Sequence, residues 1–263
     1  MDNTKDFSLR GATGLPTVLI TGATSGIGRS TAELFAQNDF ALILCGRRQN
    51  RLEELREKLG HSTRVHTLSF DVREKDAVFR AIGSLPENFS QIDILINNAG
   101  NAHGFSPIHQ GDLEDWEAMV DINVKGLLYV SKVVLPKMVA RKRGHIINIG
   151  SIAGKEVYPQ GSVYCASKYA VDAINQGMRI DLNAHNIRVS AVNPGAVETE
   201  FSSVRFKGDK ERADKVYQGY QPLTPEDIAD IILFVVTRPY HVNLADLLVL
   251  PTAQASTSVW NKN

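Results

Sequence analysis

From Thr17 to Leu250 the chain reads as seven short apolar runs separated by longer stretches of helical pattern. The runs are TVLIT at 17–21, FALILC at 40–45, RVHTLSF at 64–70, IDILIN at 92–97, HIINIG at 145–150, IRVSAVN at 187–193 and LADLLVL at 244–250. Strand alternating with helix in this way folds as a parallel sheet with helices on both faces. The runs are mostly apolar throughout rather than alternating, which suits strands buried on both faces. Helices are expected to about Asn38, over 47–60 and 73–85, from Leu113 to about Lys142, over 163–185, and from Thr224, a helix cap followed by Pro225. No linker or repeat interrupts the series. Residues 16–263 are therefore expected to form one doubly wound α/β domain, with residues 1–15 a flexible polar tail.

Composition excludes several function classes. Lys and Arg number 29 and Asp and Glu number 29, so no net positive charge favours nucleic acid. No apolar run reaches the ~18 residues of a membrane span. The opening MDNTKDFSLRGATG lacks the apolar region of a secretory signal. Cys45 and Cys165 stand alone, without the spacing of a zinc site or disulfide framework, so no metal is expected. These features describe a cytoplasmic enzyme-sized domain acting on a small molecule.

The first strand runs into T-G-A-T-S-G-I-G at 21–28, which opens a helix. Gly22, Gly26 and Gly28 allow a tight turn and close approach of a ligand, and the helix start presents free N–H groups to a pyrophosphate. The spacing is a variant of the dinucleotide fingerprint, and it brings Thr24, Ser25 and Ile27 into the same loop. An NAD site would carry an acid at the end of the second strand. Here that place holds Arg47 and Arg48. Two arginines at a helix start oppose the macrodipole, and a 2′-phosphate would explain them, so NADP is the expected cofactor. Asp71, before Val72 at the end of the third strand, can face an adenine amino group or cap the next helix. After the fourth strand, Asn97 suits a bond across the sheet, while Asn98, Ala99 and Gly100 suit the lining of a cofactor site.

Tyr164 and Lys168 are four apart and share a helix face. A neighbouring ammonium favours the phenolate and would make Tyr164 a general acid/base. Ser151 follows the fifth strand, where its hydroxyl can hold a substrate oxygen. Asn123 interrupts a long helix, where it can bind water or a backbone carbonyl and kink the helix. The segment 198–220 follows the sixth strand, the place of a substrate lid, and carries Arg205 and Lys207. Arg205 lies between Val204 and Phe206, so a partly buried guanidinium would need an anion.

Taken together, the loop at 21–28, Asn97–Gly100, Asn123, Ser151, Tyr164 and Lys168 resemble the short-chain dehydrogenase/reductase family from Val18 to about Asn193. The resemblance implies a seven-stranded Rossmann sheet, hydride transfer at a nicotinamide, and a homotetramer. It also implies roles. Tyr164 is the acid/base, Ser151 orients substrate, Lys168 binds the nicotinamide ribose and lowers the Tyr164 pKa, and Asn123 holds a relay water. Pro194, Gly195, Val197 and Thr199 would contact the nicotinamide amide and pyrophosphate. A narrower resemblance, carried by residues 200–209, 223–227 and 241–243, is to NADP-dependent 3-hydroxy acid dehydrogenases. Their substrates include L-allo-threonine, L-serine and 3-hydroxypropionate, and Arg205 would then hold the acid. Sulfoacetaldehyde or general carbonyl reduction is the alternative within enzymes, and an NADP-binding regulator the alternative outside them.

Overall fold

The computed structural model describes residues 14–262. Among these residues seven parallel strands form one sheet in the order β3-β2-β1-β4-β5-β6-β7. They are β1 (Thr17–Thr21), β2 (Ala41–Gly46), β3 (Val65–Ser69), β4 (Ile94–Asn97), β5 (Gly144–Ile149), β6 (Ile187–Pro194) and β7 (Asp246–Val249). The order runs outward from β1 in one direction and from β4 in the other. The carboxyl ends of β1 and β4 therefore flank the point where successive crossovers diverge, which is where open α/β sheets leave a ligand crevice.

Among the described residues nine α-helices accompany the strands: α1 (Gly26–Ala36), α2 (Gln49–Gly60), α3 (Lys75–Gly83), α4 (Leu113–Val120), α5 (Leu127–Arg141), α6 (Ser162–Leu182), α7 (Phe201–Arg205), α8 (Lys210–Lys215) and α9 (Pro225–Val236). The two-residue period of the strands divides the core. Val18 and Ile20 face one layer with Phe35 and Ile232 from α1 and α9. Leu19 and Leu95 face the other with Val130 and Met138 from α5. α9 begins with a reciprocal cap, the Thr224 hydroxyl accepting from the Asp227 amide while the Asp227 carboxylate accepts from the Thr224 amide.

Several boundaries depart from the sequence expectation. The helix expected from Leu113 to Lys142 is broken by a π-helical stretch over Asp121–Gly126, centred on Asn123. The segment expected as a lid holds two short helices, α7 and α8, and its stem is closed by a bridge between Val197 and Leu223. Most of the expected tail lies outside the described residues, but Leu15 packs on the core and is no part of a loose tail. Among the described residues no helix is long and apolar enough to cross a membrane.

A polar brace crosses the sheet interior. Asn97 donates to Asn148 Oδ1 at 2.9 Å and to Ser131 Oγ at 3.1 Å, and Asn148 donates to Asn175 Oδ1 at 3.0 Å. β4, β5, α5 and α6 are thereby held in one register behind the crevice.

Gly28 has a packing role. A Cβ there would lie 2.4 Å from Gly22 O and 2.5 Å from Asn98 Nδ2. Gly28→Ala should destabilise the fold by about 1–3 kcal/mol, the scale of overpacking against atoms that cannot yield. Urea denaturation of the variant beside wild type measures it, and equal midpoints would show that the α1–β4 contact relaxes freely.

Candidate active site

The loop after β1 turns through Gly22 and Gly26, both in the left-handed region at φ 66° and 51°. A Cβ on Gly26 would crowd the Thr199 side chain. Thr21 anchors the loop after β4, accepting at Oγ1 from the amides of Asn98 and Ala99, each at 3.0 Å. Asn98 donates from its side chain to the carbonyls of Thr21 and Gly22. These bonds hold the two strand ends apart at a fixed spacing, and a cleft of about 510 Å³ opens between them.

The start of α1 faces this cleft without a side-chain cap. Ser25 stands at the cap position, yet its hydroxyl accepts from Arg48 Nη2 at 2.7 Å, and the first turn carries no acid. The contrast with the closed start of α9 is direct. An uncapped helix start beside left-handed glycines fits the pyrophosphate of a dinucleotide.

Most of the expected cofactor residues line the cleft: Gly22, Thr24, Ser25, Gly26 and Ile27, then Arg47, Arg48, Asp71 and Val72, then Asn98, Ala99 and Gly100, and finally Pro194, Gly195, Val197 and Thr199. One expectation is corrected. Gly28 does not line the cleft, because it is packed under Gly22 and Asn98. Asn123 lies behind the cleft wall. Its side chain is buried behind Gly100, accepting from Asn101 N and donating to Asn101 O, both at 2.9 Å, and to Ser167 Oγ at 3.0 Å. Of the two roles open to Asn123, bonding to backbone is the one seen. Asp71 caps no helix, since α3 starts after Glu74; it instead receives the Arg73 amide and guanidinium, with Arg47 3.6 Å away. Burial pushes the Asp71 carboxyl up, but the hydrogen bonds from Arg73 and the charges of Arg73 and Arg47 together outweigh it and hold the carboxyl below its ordinary range.

At the other end of the cleft lie Ser151, Tyr164 and Lys168. Ser151 Oγ accepts from the Ala153 amide at 3.1 Å, which leaves its proton to donate. Lys168 donates to Ile149 O at 3.0 Å, and its Nζ lies 3.6 Å from where a Cβ on Gly100 would be. Burial lowers the Lys168 ammonium to about 8. Burial, and then Tyr158, push the Tyr164 phenol up, while a hydrogen bond with Ser151 and the charge of Arg205 pull it down. Arg205, from the lid, is thus a cation that acts on the Tyr164 phenol, a contact joining distant segments.

Arg205 lies over three rings, 4.6 Å from the centre of Phe105, 5.3 Å from Tyr158 and 5.7 Å from Tyr164. Its Nε is buried without a hydrogen-bond partner, and no carboxylate among the described residues pairs with it. Lys207, the other lid cation, is occupied by Asp115 at 3.0 Å and Asp112 at 3.5 Å. Phe105, Tyr158 and Phe201, whose ring meets Tyr164 edge-on at 5.6 Å, carried no legible signal, since they sit in loops or in the lid. Arg51 was legible in principle, three residues after Arg48 and in the first turn of α2.

A parallel sheet with a glycine loop at its crevice and a Ser–Tyr–Lys group at the facing strand end defines a nucleotide-dependent dehydrogenase. Residues 16–210 match the short chain dehydrogenase family, and the chain belongs to that family. It is 47% identical over 239 residues to "NADP-dependent 3-hydroxy acid dehydrogenase YdfG" of Salmonella typhi, covering 90% of this chain and 96% of that one. It is 46% identical, over 90% of this chain and 95% of the other, to "Sulfoacetaldehyde reductase 2" of Chromohalobacter salexigens. Among solved structures it is similar to the closed form of a serine dehydrogenase complexed with NADP+, with TM-score 0.88 and 45% identity over 94% of this chain and 99% of that one.

The buried Lys168 has a stability consequence with a definite sign. Its pKa is lowered from 10.5 to about 8 in the fold, so between these values the unfolded chain binds more protons. Stability tied to this residue is complete above pH 10.5 and is lost as pH falls toward 8. Relative to Lys168→Met, wild type should therefore gain up to about 3 kcal/mol as pH rises across that window. Urea melts of both proteins at several pH values check this, and a pH-independent difference would mean that the ammonium is solvated.

Proposed function

We propose that this protein is an NADP-dependent oxidoreductase that interconverts small 3-hydroxy acids and their 3-oxo forms. The observation that carries the substrate class is Arg205, a guanidinium with no carboxylate partner, over the Tyr164 ring. A substrate carboxylate would supply the missing anion through charge-assisted bonds. The relatives named for 3-hydroxy acid and serine dehydrogenation support the same class. A sulfonate would suit the same guanidinium, and the relative named for sulfoacetaldehyde supports that second reading.

The uncapped start of α1 and its glycine loop would hold the pyrophosphate, and Arg47 and Arg48 the 2′-phosphate. The bound nicotinamide supplies or accepts the hydride. Ser151 donates a hydrogen bond to the reacting oxygen and orients it. Tyr164 gives its proton to that oxygen in reduction and takes it back in oxidation. Burial keeps the phenol neutral and therefore able to donate, while Ser151 and Arg205 oppose that burial effect. Lys168 fixes the floor of the site through Ile149, and Asn123 positions Asn101 and Ser167 behind it. The aromatic wall of Phe105, Tyr158 and Phe201 keeps water from the reacting atoms.

We further propose that the enzyme works in the cytoplasm as a homotetramer. Free, buried Cys45 and Cys165 support a reducing compartment. Exposed Leu113, Val120 and Leu128 on and beside α4 and α5, with Tyr169 and Ile180 on α6, support an assembly built on these helices.

Tyr164→Phe keeps the ring and removes the proton. Turnover should fall ~10²–10⁴-fold, with NADPH binding retained by titration; undiminished turnover would place the acid elsewhere. Arg205→Ala should weaken kcat/KM for 3-hydroxypropionate by roughly ten- to a hundredfold, the scale of a charged hydrogen bond, and leave a neutral primary alcohol little changed. Isethionate, the alcohol of sulfoacetaldehyde, in the same panel decides between carboxylate and sulfonate. An equal loss on all three substrates would make Arg205 a prop for the aromatic wall.

A further inference from the structure

Glu200 stands at the base of the lid, directly before α7, and bridges two arginines of the opposite wall. Its Oε2 accepts from Arg48 Nη1 at 2.7 Å and its Oε1 from Arg51 Nη1 at 2.8 Å. Arg48 in turn grips the glycine loop, donating to Thr24 Oγ1 and Ser25 Oγ at 2.9 and 2.7 Å from Nη2. Arg51 points at the same loop, 3.4 Å from Thr24 O. One carboxylate thus ties lid, glycine loop and α2 into a node, and it occupies the guanidinium groups at the place where the sequence expects a 2′-phosphate. Arg47, by contrast, is mostly exposed and only loosely paired with Asp71.

We infer that Glu200 is a built-in competitor for the 2′-phosphate, so that binding of this phosphate releases the lid's first turn. This inference rests on the NADP assignment proposed above. Glu200 and Arg48 are nearly half exposed, and ion pairs in that setting are weak. A phosphate brings more charge and three acceptor oxygens to the same fork, so it displaces the carboxylate. The two anions repel each other if both remain. The lid start is the movable partner, because Arg48 keeps its bonds to the glycine loop. The residues it releases matter for the reaction: Phe201 touches Tyr164, and Arg205 ends the same short helix. A contact at the adenosine end of the cleft is thereby transmitted to the substrate end along five residues. NAD, with a hydroxyl in place of the phosphate, does not deliver this signal.

Calorimetric titration of the full chain with adenosine 2′,5′-bisphosphate and with ADP tests the inference without any turnover. Wild type should prefer the bisphosphate. Glu200→Gln should bind it roughly tenfold more tightly, by removing the two weak ion pairs it must break, and should bind ADP as wild type does. Hydrogen exchange of amides 201–206 should quicken in wild type with the bisphosphate and not with ADP, and be already quick in unliganded Glu200→Gln. If the bisphosphate binds wild type and variant equally, or tightens together with ADP, Glu200 is a static surface contact and the NADP assignment stands. If wild type does not distinguish the two nucleotides, the NADP assignment itself falls, and this inference with it.

Discussion

The separation of β1 from β4 at their carboxyl ends governs the rest of the molecule. The strands pair through Ile20 and Ile96, and beyond that point the chain turns away on both sides. Thr21 sits at the parting, binding the amides of Asn98 and Ala99. Asn98 returns two bonds to the other strand's end. Backbone groups at the parting that would otherwise need solvent are satisfied locally, which lets the two strand ends separate. The loop that would receive pyrophosphate and the loop that would pass under the nicotinamide are thus fastened to one another. A Cβ on Gly22 would meet Asn98 and Ala99 at 2.9–3.0 Å, which shows how close the fit is.

Burial at the reacting end has a cost that the fold carries deliberately. Tyr164 and Lys168 lie on one face of α6, and both are driven toward their neutral forms. For Tyr164 that is useful, since a neutral phenol is a proton donor. Lys168 tolerates the setting because Ile149 O accepts from it and because Asn123 has arranged the neighbouring backbone. Asn123 can do so only because the π-helical stretch swings it inward, and π-turns are commonly found at functional sites. The stability lost here is recovered in the two apolar layers and in the Asn97–Asn148–Asn175 brace.

The lid places cations in two different states. Lys207 is neutralised by Asp112 and Asp115, and Arg205, two residues earlier, is not. An arginine stacked on aromatic rings retains its charge at less desolvation cost than one facing aliphatic carbon. That arrangement lets the guanidinium await an anion beside Tyr164. At the far end of the lid base, Glu200 performs the inverse service for Arg48 and Arg51.

The sequence alone determined the sheet, since continuous apolar runs at strand spacing leave few other folds, and each run became a strand within about three residues at either end. It also determined the glycine loop, the Tyr164–Lys168 face and the arginine pair, because these depend on local spacing. Tertiary structure decided which of these residues touch the cleft. Gly28 and Asn123 belong to the same motifs as residues that line it, but packing from α1 and α6 places them one layer behind. It decided, too, that Arg205 comes to rest beside the phenol, and that Glu200 reaches arginines about 150 positions away. Such contacts join segments distant in the chain, and no local periodicity encodes the angle at which a lid comes to rest on a helix start.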